Sequence, residues 1–429
     1  MTETWSGRAG FILAAIGSAV GLGSIWKFPY EVGANGGAAF VLFYLLGLAL
    51  VVVPLMLAEF AIGRRGGGDA ASSIERLAAA HGARRAWMWV GVLGVLAGAL
   101  ILSYYSVIGG WTIAYAIDPA RDYAALLASP ARMIGYHALF LGLAAAIVAR
   151  GVGRGIEAAS KVLMPLLAVL MLALAAYGVI EGDAAATLRF LFRLDLSGFT
   201  ARAALEALGL GFFSIGVGFG LMITYAAYAR PDIDLRQAAL LSVGADTAIS
   251  LCAGLAVFPL VFANGLDPAS GPGLVFVTLP IAFARMPFGA VAAVAFFSLL
   301  FVAALASAIS MLELAVALLM KRFAWRRSPA AAAVAGACFI AGLASVFSFN
   351  LWSHWTPSAF DLLDDFTSNV MLPAGGLALA LFAGWALPRA FLVDELRMTA
   401  RRGAVLHWLL RWLTPALIAA AAIAPALLD

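Results

Sequence analysis

Residues 17–30 read Gly17-Ser18-Ala19-Val20-Gly21-Leu22-Gly23-Ser24-Ile25-Trp26-Lys27-Phe28-Pro29-Tyr30. The stretch lies inside the first long apolar run of the chain, yet it carries glycine at positions 17, 21 and 23 and a proline shortly after. A membrane helix interrupted in this way frees backbone carbonyls and amides at mid-membrane depth. Such groups are tolerated there only where they line a cavity or are buried in protein. Broken helices that hold an ion and a solute near the bilayer midplane are a transporter's device, and the stretch is read as one.

The rest of the chain supports a polytopic membrane protein. Of 429 residues, 64% are hydrophobic and 12% charged, about half the charged share of a soluble domain. The net charge of +4 reports topology here and not nucleic-acid binding, because the basic residues gather in particular loops. Eleven apolar stretches are long enough to cross a bilayer, which takes about 20 residues each. They run roughly over 9–32, 38–63, 86–117, 133–149, 157–180, 203–228, 238–263, 288–320, 330–349, 359–387 and 405–427. One set of loops holds Arg64, Arg65, Arg76, Arg84, Arg85, Arg150, Arg154, Arg230, Arg236, Lys321, Arg322, Arg326, Arg327, Arg389, Arg397, Arg401 and Arg402. The opposite set has only Arg121, Arg132, Arg189, Arg193, Arg202 and Arg285. The basic set is expected on the cytoplasmic side, with the N-terminus inside and the C-terminus outside. The first run continues past Pro29 into an interrupted span and is read as retained, not as a cleaved signal. Cys252 and Cys338 both fall in apolar spans and read as packing residues. His81, His137, His354 and His407 lack metal-ligand spacing and read as loop or interface residues, and no nucleophile motif or phosphate loop is visible.

A second interruption, Gly209, Gly211 and then Ser214-Ile215-Gly216-Val217-Gly218-Phe219-Gly220, sits five spans after the first. Small residues at such spacing also serve helix packing. Two glycine-broken spans in corresponding places, each with hydroxyl residues inside, point instead to two inverted five-helix units around a midplane site. The expected fold is all-α: eleven helices in one transporter domain over 1–429, with helices 1 and 6 unwound. Repeat one covers about 9–180, repeat two about 203–387, and an extra helix about 405–427.

Five segments then carry a resemblance. GSAVGLGSIWKFPYEVGANGGAAF (17–40), PLMLAEFAIGRRGG (54–67), SYYSVIGGW (103–111), FFSIGVGFGLMITYAAY (212–228) and LASAISMLE (305–313) resemble the neurotransmitter:sodium symporter family, in particular its bacterial amino-acid transporters. The likeness extends over essentially the whole chain. It implies that Leu22 and Gly23 receive a substrate carboxylate together with the Tyr105 hydroxyl, and that carbonyls around Ala19, Phe213 and Ser214 accept the ammonium. Ile101, Phe213, Phe219 and Met311 would form the apolar pocket, with Gly216 and Ser307 beside it. Gly21 stands where monoamine carriers of the family hold an aspartate, so the ligand is expected to bring its own carboxylate. Gly216 replaces a serine of some relatives and widens the pocket toward hydrophobic or aromatic amino acids.

The resemblance further implies one or two sodium ions. Site 1 would use Ala19, Ser24, Ser214, Asp246 and the substrate carboxylate. Ser24 and Asp246 replace the commoner asparagines, and a carboxylate inside a span calls for a partner. The family's chloride-site glutamine is Leu210 here, while Tyr44, Ser214 and Ser250 keep hydroxyls, so transport is expected to be independent of chloride. Site 2 would use Gly17, Val20, Ala303 and Ser307, but its usual hydroxyl or carboxylate is replaced by Ala306. Lys27 and Asp364 match an extracellular gate pair, with Phe219 as the aromatic lid below them. The cytoplasmic pair of the family falls on Thr2 and Lys321, so inward closure is assigned to Trp5 and Tyr228. Glu59 matches a scaffold acid that holds the unwound sixth helix.

The function these readings imply is sodium-coupled symport of hydrophobic or aromatic L-amino acids by alternating access in the bacterial inner membrane. The partners would be sodium, the amino acid and the lipid bilayer. No enzyme constellation and no nucleic-acid partner is expected. A proton-coupled transporter of the same fold, suggested by Ala306, Asp246 and Glu59, and a non-transporting amino-acid sensor remain the alternatives.

Overall fold

The computed structural model describes residues 3–269 and 273–427. Nine of the described helices are long and apolar enough to cross a bilayer: α2 Ala38–Gly66, α3 Arg85–Ile117, α4 Pro130–Val148, α5 Val152–Glu181, α7 Leu235–Ala263, α8 Gly289–Phe323, α9 Arg327–Ser348, α10 Ala359–Ala386 and α11 Ala400–Ile423. Two broken helices complete the set. The first, α1, comprises Arg8–Ala19 and Gly23–Ala34, bent by 50°. The other, α6, comprises Ala201–Ile215 and Leu221–Ala227. Short helices in the connections, such as Ala70–Ala80, Ala184–Phe192 and Leu274–Ala284, lay outside the apolar-stretch reading because they do not cross.

The helices pack as two matching sets. α3 lies against α8, and several contacts of one set recur in the other. Thus α3 with α4 is matched by α8 with α9, and α4 with α8 by α9 with α3. In the same way α1 with α7 is matched by α6 with α2, and α5 with α7 by α10 with α2. Five crossings separate corresponding helices, so the second set runs inverted relative to the first. The two broken helices therefore meet at the centre from opposite faces. The face bearing residue 3 and the start of α1 is called the N-side below.

The breaks follow from local sequence. α1 ends at Ala19 because Val20 turns to extended backbone, and the helix resumes only at Gly23. In α6, Gly216, Gly218 and Gly220 have φ of +67°, +96° and +85°, a left-handed region that costs glycine nothing and other residues dearly. The start of α6 is fixed by Thr200, whose hydroxyl accepts the Ala203 N–H, satisfying one of the free amides of the first turn. Arg64 at the end of α2 donates to the Glu395 carboxylate and to the Ile233 carbonyl, tying three N-side connections together.

Candidate functional site

The two breaks enclose a small central cavity of about 50 Å³. Ser18, Gly21, Leu22 and Gly23 from α1 line it with Ile101 and Tyr105 from α3. Phe213, Ser214, Gly216, Phe219 and Leu221 from α6, Ser307 and Met311 from α8, and Leu372 from α10 close it. The structure thus brings together every residue named above for the substrate except Ala19, which is buried just behind the lining. The Leu22 N–H donates to the Tyr105 hydroxyl at 3.2 Å, so a free helix amide and a phenol converge on one point, the chemistry a carboxylate needs. A Cβ at Gly21 would stand 2.6 Å from Ser307 Oγ and 3.1 Å from the Tyr105 hydroxyl. A side chain there, an aspartate included, would have to displace both. A Cβ at Gly23 would stand 2.9 Å from Ser214 Cα, so this glycine allows the two breaks to touch.

Beside the cavity, Asp246 of α7 is fully buried. Three hydroxyls turn toward its carboxylate. Ser24 donates to Oδ1, Tyr44 to Oδ2 at 3.1 Å, and Ser214 to Oδ2 at 3.3 Å. The Ser24 and Ser214 hydroxyl oxygens lie 3.0 Å apart, close enough for Ser214 to donate to Ser24 in place of Asp246. A hydroxyl that gives its proton to a carboxylate still presents lone pairs to a cation. With its carboxylate ionised, Asp246 would give the cluster one negative charge beside several oxygens, which suits a hard monovalent ion. Among the described residues no group of three or more His, Cys, Asp or Glu side chains converges, so the oxygens come from hydroxyls, carbonyls and this one acid. Tyr44 also reaches Ser250 at 3.4 Å.

The second cluster is poorer. Ser307 Oγ donates to the Val20 carbonyl at 3.1 Å. A Cβ built on Gly17 would lie 3.4 Å from the Ala306 methyl and 3.2 Å from Met164. Gly17 thus faces apolar groups, Ala306 among them, where the resemblance led one to expect an oxygen. Ala303 is buried in the same face of α8.

Glu59 of α2 is fully buried and holds the broken α6. Its carboxylate accepts N–H bonds from Gly218 at 2.5 Å, Met222 at 3.0 Å and Ile223 at 3.3 Å. These are amides left free where α6 restarts. A carboxylate that accepts several N–H bonds is a satisfied group.

The two mouths of the cavity differ from the expected pairs. Lys27 and Asp364 do not pair. The Lys27 ammonium lies 4.4 Å from the Phe213 ring centroid, and Asp364 accepts from Tyr104 at 2.9 Å and from Ser368 at 3.1 Å. Phe213 sits under Lys27 and lines both the central cavity and the vestibule beyond it. Phe219 lies across the break, where Gly94 and Gly98 of α3 leave it room. At the N-side, Lys321 is exposed and Thr2 lies outside the described residues. Trp5 is buried, donates through Nε1 to the Tyr225 carbonyl at 2.8 Å, and packs edge-on against Tyr225 and Tyr228. Tyr228 in turn donates to Glu313 Oε1 at 2.8 Å.

That hydrogen bond leads to residues the sequence reading missed. Arg327, at the start of α9, grips buried Glu313 of α8 with two bonds of 2.5 and 3.0 Å and also pairs with Glu3. Glu313 was visible as an acid inside a span; its partner, beyond a connecting loop, was not. Phe276, from the Leu274–Ala284 segment, packs among Trp26, Trp111 and Tyr123 beyond the far mouth. Ser18 was also missed, and its buried hydroxyl has no hydrogen-bond partner among the described residues. His137 is an interface residue, as the sequence reading allowed. It is buried in α4 and stacks on Phe339 of α9 at 5.0 Å.

The model of the sodium:neurotransmitter symporter family matches residues 2–122 and 133–427. An uncharacterized sodium-dependent transporter of Bacillus subtilis, YhdH, is 35% identical over 96% of this chain and 95% of its own length. The sodium-dependent dopamine transporter of Bos taurus is 26% identical over 96% of this chain and 66% of its own. Among solved structures, the crystal structure of MhsT in complex with L-phenylalanine superposes with a TM-score of 0.91 at 41% identity, covering 98% of this chain and 99% of that one.

Proposed function

Because the chain belongs to the sodium:neurotransmitter symporter family, a family of membrane transporters and not of enzymes, we propose that it takes up a hydrophobic or aromatic L-amino acid with sodium, independently of chloride. The observation that carries this reading is the cavity at the two breaks. Its Leu22 amide and Tyr105 hydroxyl suit a carboxylate, Gly21 leaves no space for a protein acid, and Phe213, Phe219, Ile101 and Met311 suit an apolar side chain. The likeness to a structure holding phenylalanine supports the aromatic end of the range.

Sodium would enter first between Ser24, Ser214 and Asp246, with the Ala19 carbonyl and the ligand's carboxylate completing its shell. Ion and solute then share one set of oxygens, which couples their binding reciprocally. Tyr44 and Ser214 already donate to Asp246, so the hydroxyls that a halide would need serve a fixed negative charge. A second sodium would lie among Gly17, Val20, Ala303 and Ser307, held weakly because Ala306 offers no oxygen. Repeats over 9–180 and 203–387 would rock about the cavity, with 405–427 as an added helix. Lys27, Asp364 and Phe213 would gate one mouth, and Trp5 and Tyr228 the other. The basic N-side loops support a cytoplasmic position for that face, in a bacterial inner membrane with the C-terminus outside.

Uptake of labelled phenylalanine, tryptophan and leucine into proteoliposomes without chloride tests the reading. Accumulation driven by an inward sodium gradient, lost in Asp246→Ala, is expected. Equal uptake in potassium that collapses with a proton uncoupler would replace sodium by protons. Sodium-dependent binding without any counterflow would make the protein a sensor.

A further inference from the structure

Away from the central cavity, a second cavity of about 420 Å³ opens at the N-side end of α10, against the N-terminal half of α11. Its polar lining is cationic or titratable: Arg389, Arg411, His407 and His81, with no carboxylate among the lining residues. Neither arginine has an ion pair or a side-chain hydrogen bond to protein among the described residues, and Arg411 Nε is buried with no partner. Arg411 is nevertheless held in place. Its guanidinium lies 4.0 Å from the Trp385 ring and 5.7 Å from that of Trp412, and the Trp385 indole donates to the Arg411 carbonyl at 3.1 Å. Gly384 permits this stack, since a Cβ there would meet Arg411 Cα at 2.6 Å.

A fixed guanidinium with an idle, buried N–H, a second arginine nearby and no acid to neutralise them form a site for an anion with several acceptor oxygens. The surroundings name the source of that anion. Trp385, at the end of α10, is half exposed, as are Trp408 and Trp412 of α11 at its side, and a tryptophan at a helix end marks the headgroup level of a bilayer. Basic pockets between helices at that level suit anionic headgroups. We propose that this cavity binds the phosphate of one anionic phospholipid, its headgroup between Arg389 and Arg411 and its acyl chains along the exposed faces of α10 and α11. Only the assignment to the cytoplasmic leaflet rests on the orientation proposed above.

The test uses the purified full chain in mixed micelles of phosphatidylglycerol and phosphatidylcholine, with retained lipid counted by native mass spectrometry. One phosphatidylglycerol should be kept in preference to phosphatidylcholine. Each arginine near a headgroup is worth roughly a factor of five, so R389Q should weaken retention about fivefold and R389Q/R411Q roughly 25-fold. Arg389 is exposed, so R389Q carries the test if loss of the Trp385 stack prevents folding of the double variant. Equal retention of the two lipids, or full retention by a folded R389Q/R411Q, overturns the proposal. Displacement of the lipid by excess inorganic phosphate would also overturn it, in favour of a free anion. Failure of sodium-driven uptake would leave these lipid counts unchanged, so the two readings fall separately.

Discussion

At the N-side mouth, Arg327 holds Glu313 with two short bonds, Glu3 with another, and Tyr228 completes the set from α6. At the far mouth, Lys27 rests on the face of Phe213, and Phe276 packs among tryptophans and tyrosines while Asp364 is occupied elsewhere. Both mouths close over the same cavity with different chemistry. A buried, bidentate ion pair is nearly all or none, because separating its members strands a charge. Ring faces and a cation above one of them yield by degrees, since each contact is worth little alone. On the proposed function, the far mouth should therefore be the easier one to breathe, and the N-side mouth should open only with the energy of bound sodium and solute. Variants that strike each mouth test that asymmetry.

The largest effect is expected from Arg327→Ala. It leaves Glu313 buried without its guanidinium and frees Glu3, a loss on the order of 3–5 kcal/mol. The N-side mouth should stand open. A Ser310→Cys reporter, normally buried, in a background lacking Cys252 and Cys338, should react with maleimide at least about tenfold faster. An unchanged rate would mean that Trp5 and its tyrosines suffice to close this side. Phe276→Ala strikes the other mouth by removing a buried ring with several aromatic neighbours, which costs roughly 3 kcal/mol where the gap stays unfilled. Bound phenylalanine should leave faster, with Ser310→Cys reactivity unchanged. If the reporter also becomes reactive, the two mouths are not independent.

These contacts show where the chain was legible and where it was not. The breaks at Gly21–Gly23 and Gly216–Gly220 could be read because two glycine-rich runs with hydroxyl residues inside sit five spans apart, more than helix packing alone calls for, and the resemblance then supplied the cavity lining. Lys27 was expected above Phe219 and lies over Phe213, because a sequence carries no rotational phase across a break: three left-handed glycines reset the direction in which the next ring points. Arg327 was read only as a basic loop residue, and nothing local ties it to Glu313 across the turn into α9. Phe276 belongs to a short segment without membrane length or helical period, so its place among the aromatic side chains comes from tertiary packing alone.

Glu59→Gln lies between the mouths and should affect both. Glutamine can still accept from one amide but turns an NH₂ toward another, leaving buried N–H groups of Gly218 or Met222 unmatched at about 1–3 kcal/mol. The midpoint of thermal unfolding should fall, and affinity for sodium and solute should fall together, because α6 carries Ser214 as well as the pocket rings. A drop in one affinity alone would mean that Glu59 acts on a single site and does not hold the break as a whole.

The smallest effect, and the sharpest test of the far mouth, concerns Lys27. An ammonium on a ring face at a partly exposed site contributes about 0.5–1 kcal/mol, so Lys27→Gln should speed release of labelled phenylalanine roughly two- to fivefold and leave Ser310→Cys unreactive. Lys27→Arg should do the opposite. A guanidinium can stack on Phe213 and present paired N–H groups to a carboxylate, drawing Asp364 from Tyr104 and slowing release. If both variants speed release equally, the ammonium's fit against Phe213 is specific, and the far mouth depends on that single contact more than its loose geometry suggests. If neither changes it, Phe276 and its neighbours hold the far mouth alone, and the contrast between the two sides becomes one of charge against purely aromatic packing.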